Sequence, residues 1–257
     1  NIRKALGLDR SFLEQYLGFV GGVLRGDLGN SFLGGTSVSL LVSKALPATL
    51  ILAVSALVVS IVLAIPLGIR AAVHRGGVSD QVIRVASLAG LSFPNFWLAL
   101  MMVLVFSILL KWLPPSGWDG PSSIVLPALT AGVINTAANV RLVRTAMLET
   151  LSAQYIMVAR AKGLAERVVL YKHALRNSAI PLVTYVGIQF GGLIAGLIVI
   201  ERVFNWPGMG SLAFDAVAAR DYPVLQGVVT VFAVLIVGVN LLVDIVYGLV
   251  DPRIRTE

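Results

Sequence analysis

Five runs of this chain carry no charged residue for 21 or more positions: 45–69, 85–110, 120–140, 177–200 and 222–243. A helix rises 1.5 Å per residue and a bilayer core is about 30 Å thick, so each run is long enough to cross it. Within lipid every backbone amide must find its partner inside the protein, which makes each such run a helix. Composition agrees. The 257 residues are 57% hydrophobic and 13% charged, with a mean hydropathy of +0.89, against about 45–50% and about 25% in soluble domains. A water-soluble core of this length cannot hide that much apolar surface. The expected class is an all-α integral membrane protein.

The runs differ in strength. The fifth is closed by Asp244, which costs about 3 kcal/mol at mid-membrane against a return of roughly 4–7 from the apolar residues between Val228 and Val243. The third contains Pro127, Thr130, Asn135, Thr136 and Asn139. It inserts only marginally, so its polar groups need neighbouring helices and it belongs inside the bundle.

The charges orient the spans. One side collects twelve bases and five acids, among them Arg70, Arg84, Arg144, Arg160, Lys162 and Arg176. The other collects eight bases and seven acids, among them Arg25, Lys44, Lys111, Arg202 and Arg220. Lysine and arginine favour the cytoplasmic side, so the N-terminus is outside and the C-terminus inside. The chain starts at Asn1 with an outer segment of about 44 residues and no signal, which leads us to expect a sixth span ahead of it. Within that segment Ser11-Phe12-Leu13-Glu14 reads as a capping box. Leu13, Leu17, Val20 and Leu24 then follow at helical spacing, giving a short interfacial helix that ends at Gly26-Asp27-Leu28-Gly29.

Catalytic chemistry is not expected. There is no cysteine, and His74 and His173 are the only histidines. Phosphate-loop, H-E-x-x-H and G-x-S-x-G motifs are absent, and no cluster of acids and histidines suggests a metal. The net charge of +7 is accounted for by topology and does not point to nucleic acid. A secondary carrier, the rival class, places ionisable groups near the midplane. Only Asp244 lies within a span, and hydrogen bonding with Asn240 one turn away explains it. Gly187-x-x-x-Gly191 and Gly192-x-x-x-Gly196 flank Gln189 in the fourth run; such spacing suits close helix packing, within the chain or against a partner, or a path wall. Asn135 and Asn139 share a helix face and fit either a path lining or interhelical hydrogen bonds.

The cytoplasmic loop 148–176 is organised. Residues 154–162 have helical character and stop at Gly163, and a second helix begins in 164–175, with Glu166 near its start and Lys172, His173 and Arg176 near its end. Outside, 201–222 is too polar to span yet contains Phe204, Trp206, Met209 and Phe214. Trp206-Pro207-Gly208 reads as a tight turn leading into a short re-entrant helix.

Ala159-Arg160-Ala161-Lys162-Gly163-Leu164, then His173-Ala174-Leu175-Arg176-Asn177 and Ile180-Pro181, resembles the coupling loop of ABC importer permeases. More narrowly it is similar to the first permease subunit of the dipeptide/oligopeptide/nickel family. Gly26-Asp27-Leu28-Gly29, Leu46-Pro47-Ala48-Thr49, Leu91-Ser92-Phe93-Pro94, Leu126-Pro127-Ala128-Leu129, Val203-Phe204-Asn205-Trp206-Pro207-Gly208-Met209-Gly210, Arg220-Asp221-Tyr222-Pro223 and Asp251-Pro252-Arg253 extend the likeness over nearly the whole chain. The general E-A-A pattern is only partly kept, with Met157-Val158-Ala159 in its place.

The resemblance implies a type I ABC importer transmembrane domain at 45–257, after a periplasmic segment at 1–44. Five spans are visible, at about 46–69, 85–110, 122–145, 178–200 and 223–250. It further implies a bacterial inner-membrane location, a second permease, two ATPases carrying ATP and magnesium, and an external binding protein; this chain itself needs no cofactor. Ala159, Arg160, Ala161, Lys162, Gly163 and Leu164 then couple to an ATPase, with Arg160 and Lys162 steering an acidic partner surface. Asn135, Asn139, Gly187, Gln189, Gly191, Gly192 and Gly196 are candidates for path or packing. Phe204, Trp206, Pro207, Gly208 and Met209 are candidates for an outer gate or binding-protein contact.

Overall fold

The computed structural model of the chain describes residues 11–250. The motif Asp251-Pro252-Arg253 and the side chain of Asp244 lie outside the described residues. Helix α1 spans Phe12–Leu24 and starts on the capping box read from the sequence. The Ser11 amide donates to Glu14 (3.0 Å) and the Glu14 amide to Ser11 Oγ (3.4 Å). Its apolar side chains Phe12, Leu13, Tyr16, Leu17 and Leu24 are exposed, and Gly26 ends it at φ +78°. The chain then folds back so that the Asp221 carboxylate accepts from the Ser31 hydroxyl and the Phe32 amide. The outer segment is thereby tied to the last helix.

Helix α2, Val38–Val73, is 36 residues long and holds Pro47 and Pro66; at about 54 Å it is longer than a bilayer core. Helix α3 is Val78–Ser92. Helix α4 runs Asn95–Met102 and continues as π-helical Val103–Leu109. Helix α5 is Val125–Leu151 and α6 is Gln154–Ala161. Helix α7, Glu166–Val168, passes through π-helical Val169–Ala174 into α8, Leu175–Val203. Helix α9 is Met209–Ala219 and α10 is Tyr222–Val250. Among the described residues, α2 and Tyr222–Val243 are long and apolar enough to cross a membrane alone. Two further pairs qualify if each bent pair counts as one span.

Two expectations need correction. Residues 85–110 read as one span, but the path turns by 103° between α3 and α4. Pro94 has no amide to give a helix and pushes Phe93 into an extended conformation (φ −86°, ψ 132°). The second loop helix also does not end near Arg176. Between 169 and 178 there is no glycine or proline to stop it. Ser178 Oγ bonds back to the Ala174 carbonyl (3.0 Å) within one continuous rod.

Helix α5 packs most extensively against α2. Gly132 permits the approach: a Cβ there would sit 2.6 Å from Val59 Cγ1 and 2.8 Å from the Ala56 carbonyl. The polar groups in α5 are satisfied mainly by their own helix; among Thr130, Asn135, Thr136 and Asn139, Asn139 reaches a neighbouring one, and its Oδ1 stays buried without a protein partner. Thr130 and Thr136 bond back to the Leu126 and Gly132 carbonyls, and Asn139 donates to Ser60 Oγ (2.8 Å). Thr130 and Asn139 are fully buried.

Three apolar clusters stack along the bundle. One gathers Leu28, Val38, Met209 and Val228 at the outer end. The central one joins Leu52, Leu126, Leu197, Phe204 and Trp206. The third gathers Val143, Met147, Ile156, Val169 and Ala174 at the cytoplasmic end.

Candidate functional site

A cavity of about 310 Å³ lies between the start of α4, the middle of α5 and the second half of α8. Asn95, Asn135 and Gln189 bring three carboxamides to it, and Ala131, Ile134, Leu193, Leu197 and Ile200 its apolar wall. No ionisable side chain is among the described lining residues. Asn135 Nδ2 donates to the Ala131 carbonyl (2.9 Å), while the buried Gln189 Oε1 has no protein partner. A buried polar atom in this position is normally satisfied by water or a ligand. Both bends of the bundle border the cavity: the α3–α4 turn delivers Asn95, and α8 bends by 52° between Tyr185–Ile194 and Gly196–Val203.

The structure divides the residues that the sequence grouped together. Asn135, Gln189, Gly192 and Gly196 line the cavity. Gly192 and Gly196 face open space, with nothing within 4 Å of an added Cβ. Gly187 and Gly191 turn the other way, onto α10. A Cβ at Gly187 would overlap Val243, and one at Gly191 would lie 3.3 Å from Ile236 and 3.7 Å from Asn240 Oδ1. Asn139 is spent on Ser60, between α5 and α2. Gly191 and Gly192 are adjacent, so one helical step of about 100° puts the two pairs on different faces, and packing against α10 decides which face is covered.

At the cytoplasmic end, α6 stops where the spacing predicts, with Gly163 at φ +75°. That left-handed conformation strains any residue with a Cβ. Ala159 is buried with Ile156, whereas Arg160 to Leu164 are exposed. Met157 and Val158 add exposed apolar surface. Arg160 does not stand free: its Nε and Nη2 reach Glu166 at 3.1 and 2.7 Å. This fork holds the Glu166 carboxyl below its ordinary value of 4.5, chiefly through the hydrogen bond. At the start of α6, Asn177 Nδ2 donates to the Tyr155 hydroxyl (2.8 Å).

The outer loop contains the tight turn, with Asn205 at φ 48° and the Gly208 amide bonded to the Trp206 carbonyl (2.8 Å). Phe204, Trp206 and Met209 are buried, as is Gly208, so of the five outer candidates Pro207 alone is exposed. Trp206 Nε1 donates to the Ala48 carbonyl (2.9 Å), and its ring meets Trp118 edge-on at 4.4 Å. The outward surface here is instead Arg202, paired with Asp215 (2.9 Å) and lying over the Phe214 ring at 4.6 Å.

Three acids are buried among the described residues, Asp221 and two others, Glu201 and Asp80, that sequence reasoning counted only as topological charges. Glu201 is fully buried. It accepts from Thr49 Oγ1 (2.6 Å) and from the first amides of α9, Gly210 (2.7 Å) and Ser211 (3.1 Å). The positive end of a helix suits a carboxylate there. Asp80, with its side chain 1% exposed, pairs with Arg144 at 2.7 Å and joins α3 to α5. Asn95 was also missed, although its place directly after Pro94, at a helix start, was a usable signal.

A family model described as binding-protein-dependent transport system inner membrane component matches residues 64–256. The glutathione transport system permease protein GsiC of Pectobacterium atrosepticum is 40% identical over 254 residues, covering 99% of this chain and 83% of that protein. Its namesake in Escherichia coli K12 is 39% identical over the same lengths. Among solved structures, a chain of the inward-facing MetNI methionine ABC transporter aligns with TM-score 0.68 at 18% identity, covering 82% of this chain and 97% of that one. An amino acid ABC transporter with histidines aligns with TM-score 0.59 at 13% identity, covering 81% and 94%. The two structural likenesses carry the fold, a type I importer transmembrane domain. The chain belongs to the binding-protein-dependent transport system inner membrane components, and is a permease subunit of an ABC importer whose ATP hydrolysis sits in separate subunits.

Proposed function

We propose that the cavity is this chain's half of the translocation path, completed by a second permease that covers Gly192 and Gly196. The observation that carries this reading is the cavity itself: it gathers three carboxamides, among them an unpartnered Gln189 oxygen, beside Gly192 and Gly196, which face open space. Lipid cannot satisfy such groups. A second helix can approach closely over small residues four apart. The solute is a peptide or a related small amide-bearing molecule, glutathione being one such compound. The carboxamides match its peptide groups, and GsiC relatives are named for glutathione transport.

A binding protein delivers the solute outside. Inside, the exposed tip of α6, with Met157, Val158, Lys162 and Leu164, docks on one of two ATPases, which hold ATP and magnesium. Because the chain has no cysteine, a Gly196→Cys variant tests the path directly. We expect disulfide crosslinking to a cysteine series on the partner permease, and slower thiol labelling when thiol-blocked S-methylglutathione is supplied with the binding protein. No crosslink and unchanged labelling would remove the cavity from the path. Uptake by this chain in vesicles without any ATPase would favour a secondary carrier instead.

A further inference from the structure

A push on a short surface helix reaches the cavity only if that helix and the cavity wall move as one body. Helix α6 is eight residues long and is fastened at both ends to the same rod. Near its start Tyr155 is held by Asn177 (2.8 Å), and at its end Arg160 grips Glu166 through two hydrogen bonds across the Gly163 turn. Between these points Ile156 and Ala159 pack in one cluster with Val169 and Ala174. Glu166, Val169, Ala174 and Asn177 all lie on α7 and the root of α8. That rod continues to the 52° bend at Gly196 and into the cavity wall.

We propose that Arg160–Glu166 and Tyr155–Asn177 are positioning pairs that clamp the coupling helix to the root of α8, so that ATP-driven displacement of α6 swings the Gly192–Gly196 wall. Arg160 therefore acts inside this chain and does not steer an ATPase, which leaves Lys162 for that task. A half-exposed ion pair adds little to global stability, so its loss leaves a folded permease that is poorly coupled. The inference rests on the coupling reading above.

The test uses the assembled importer in proteoliposomes and the labelling rate of Gly196→Cys, with and without magnesium ATP and vanadate. Arg160→Glu should shrink the ATP-dependent change in rate on the order of tenfold, within the usual range of site-to-site coupling. Uptake of labelled glutathione per ATP hydrolysed should fall in step. The swapped pair, Arg160→Glu with Glu166→Arg, should restore both. A double variant as defective as Arg160→Glu would mean that Arg160 touches a partner, and would overturn the clamp. So would a single variant that keeps the full ATP response. A Leu164→Cys crosslink to an ATPase subunit separates the two levels. If the crosslink forms while the swap fails, the clamp alone falls; if no crosslink forms, the coupling reading falls with it.

Discussion

Replacing Glu201 with leucine should unfasten the short helix α9 from the bundle. The carboxylate is fully buried and takes three hydrogen bonds, from Thr49 Oγ1 (2.6 Å), the Gly210 amide (2.7 Å) and the Ser211 amide (3.1 Å). Thr49 is itself committed, since its oxygen accepts the Met209 amide (2.8 Å). Leucine leaves the Gly210 amide and the Thr49 hydroxyl without partners, at about 1–3 kcal/mol each. Ser211 is half-buried, so water recovers most of its share. The net cost is about 2–6 kcal/mol, which at about 2–4 °C per kcal/mol lowers the midpoint of thermal unfolding by on the order of 4–20 °C for a domain of this size. Glu201→Gln should lose much less, because one amide oxygen can still accept both backbone donors. The assay is thermal aggregation of the detergent-solubilised permease, together with amide exchange at Met209–Ser211. If the leucine variant matched the glutamine variant in midpoint and kept those amides protected, the carboxylate would not be what holds α9 in place.

Other outcomes follow from the same geometry. Gly163→Val should strain a φ of +75° by about 1–2 kcal/mol; the permease should assemble but lose coupled transport, read as solute-stimulated ATP hydrolysis. Asp80→Asn, which leaves Arg144 without its buried partner, should lower thermal stability more than the double replacement Asp80→Leu with Arg144→Leu, because an isolated buried charge costs more than none. The Arg160–Glu166 contribution is complete above the ordinary glutamate value of 4.5 and fades only as pH falls through the depressed one; each labelling rate of Gly196→Cys rises with its thiolate fraction, but the ratio of rates with and without ATP should be flat in the neutral range. Leu164→Cys should be labelled only from the cytoplasmic side, and labelling in intact cells by an impermeant reagent would reverse the topology.

The sequence by itself determined the solvent, the orientation and the local punctuation of this protein. Uncharged runs, lysine and arginine asymmetry, the Ser11–Glu14 box and the Gly163 stop are all short-range or additive signals, and each depends on residue type more than on what lies opposite. The turn at Gly163 was legible for the same reason. Tertiary structure decided which neighbours the polar and small residues meet. Gly187 and Gly191 became packing positions and Gly192 and Gly196 cavity walls, because one helical step turns the second pair about 100° away from α10. Trp206 became a buried strut once Ala48 stood 2.9 Å from its indole nitrogen. Arg160 met Glu166 across the Gly163 turn, and Glu201 found an oppositely polarised helix end in a segment that begins eight residues later. Charge and hydrogen bonding act over a few ångströms in space, and a one-dimensional pattern records that distance only where a single helix or turn spans it.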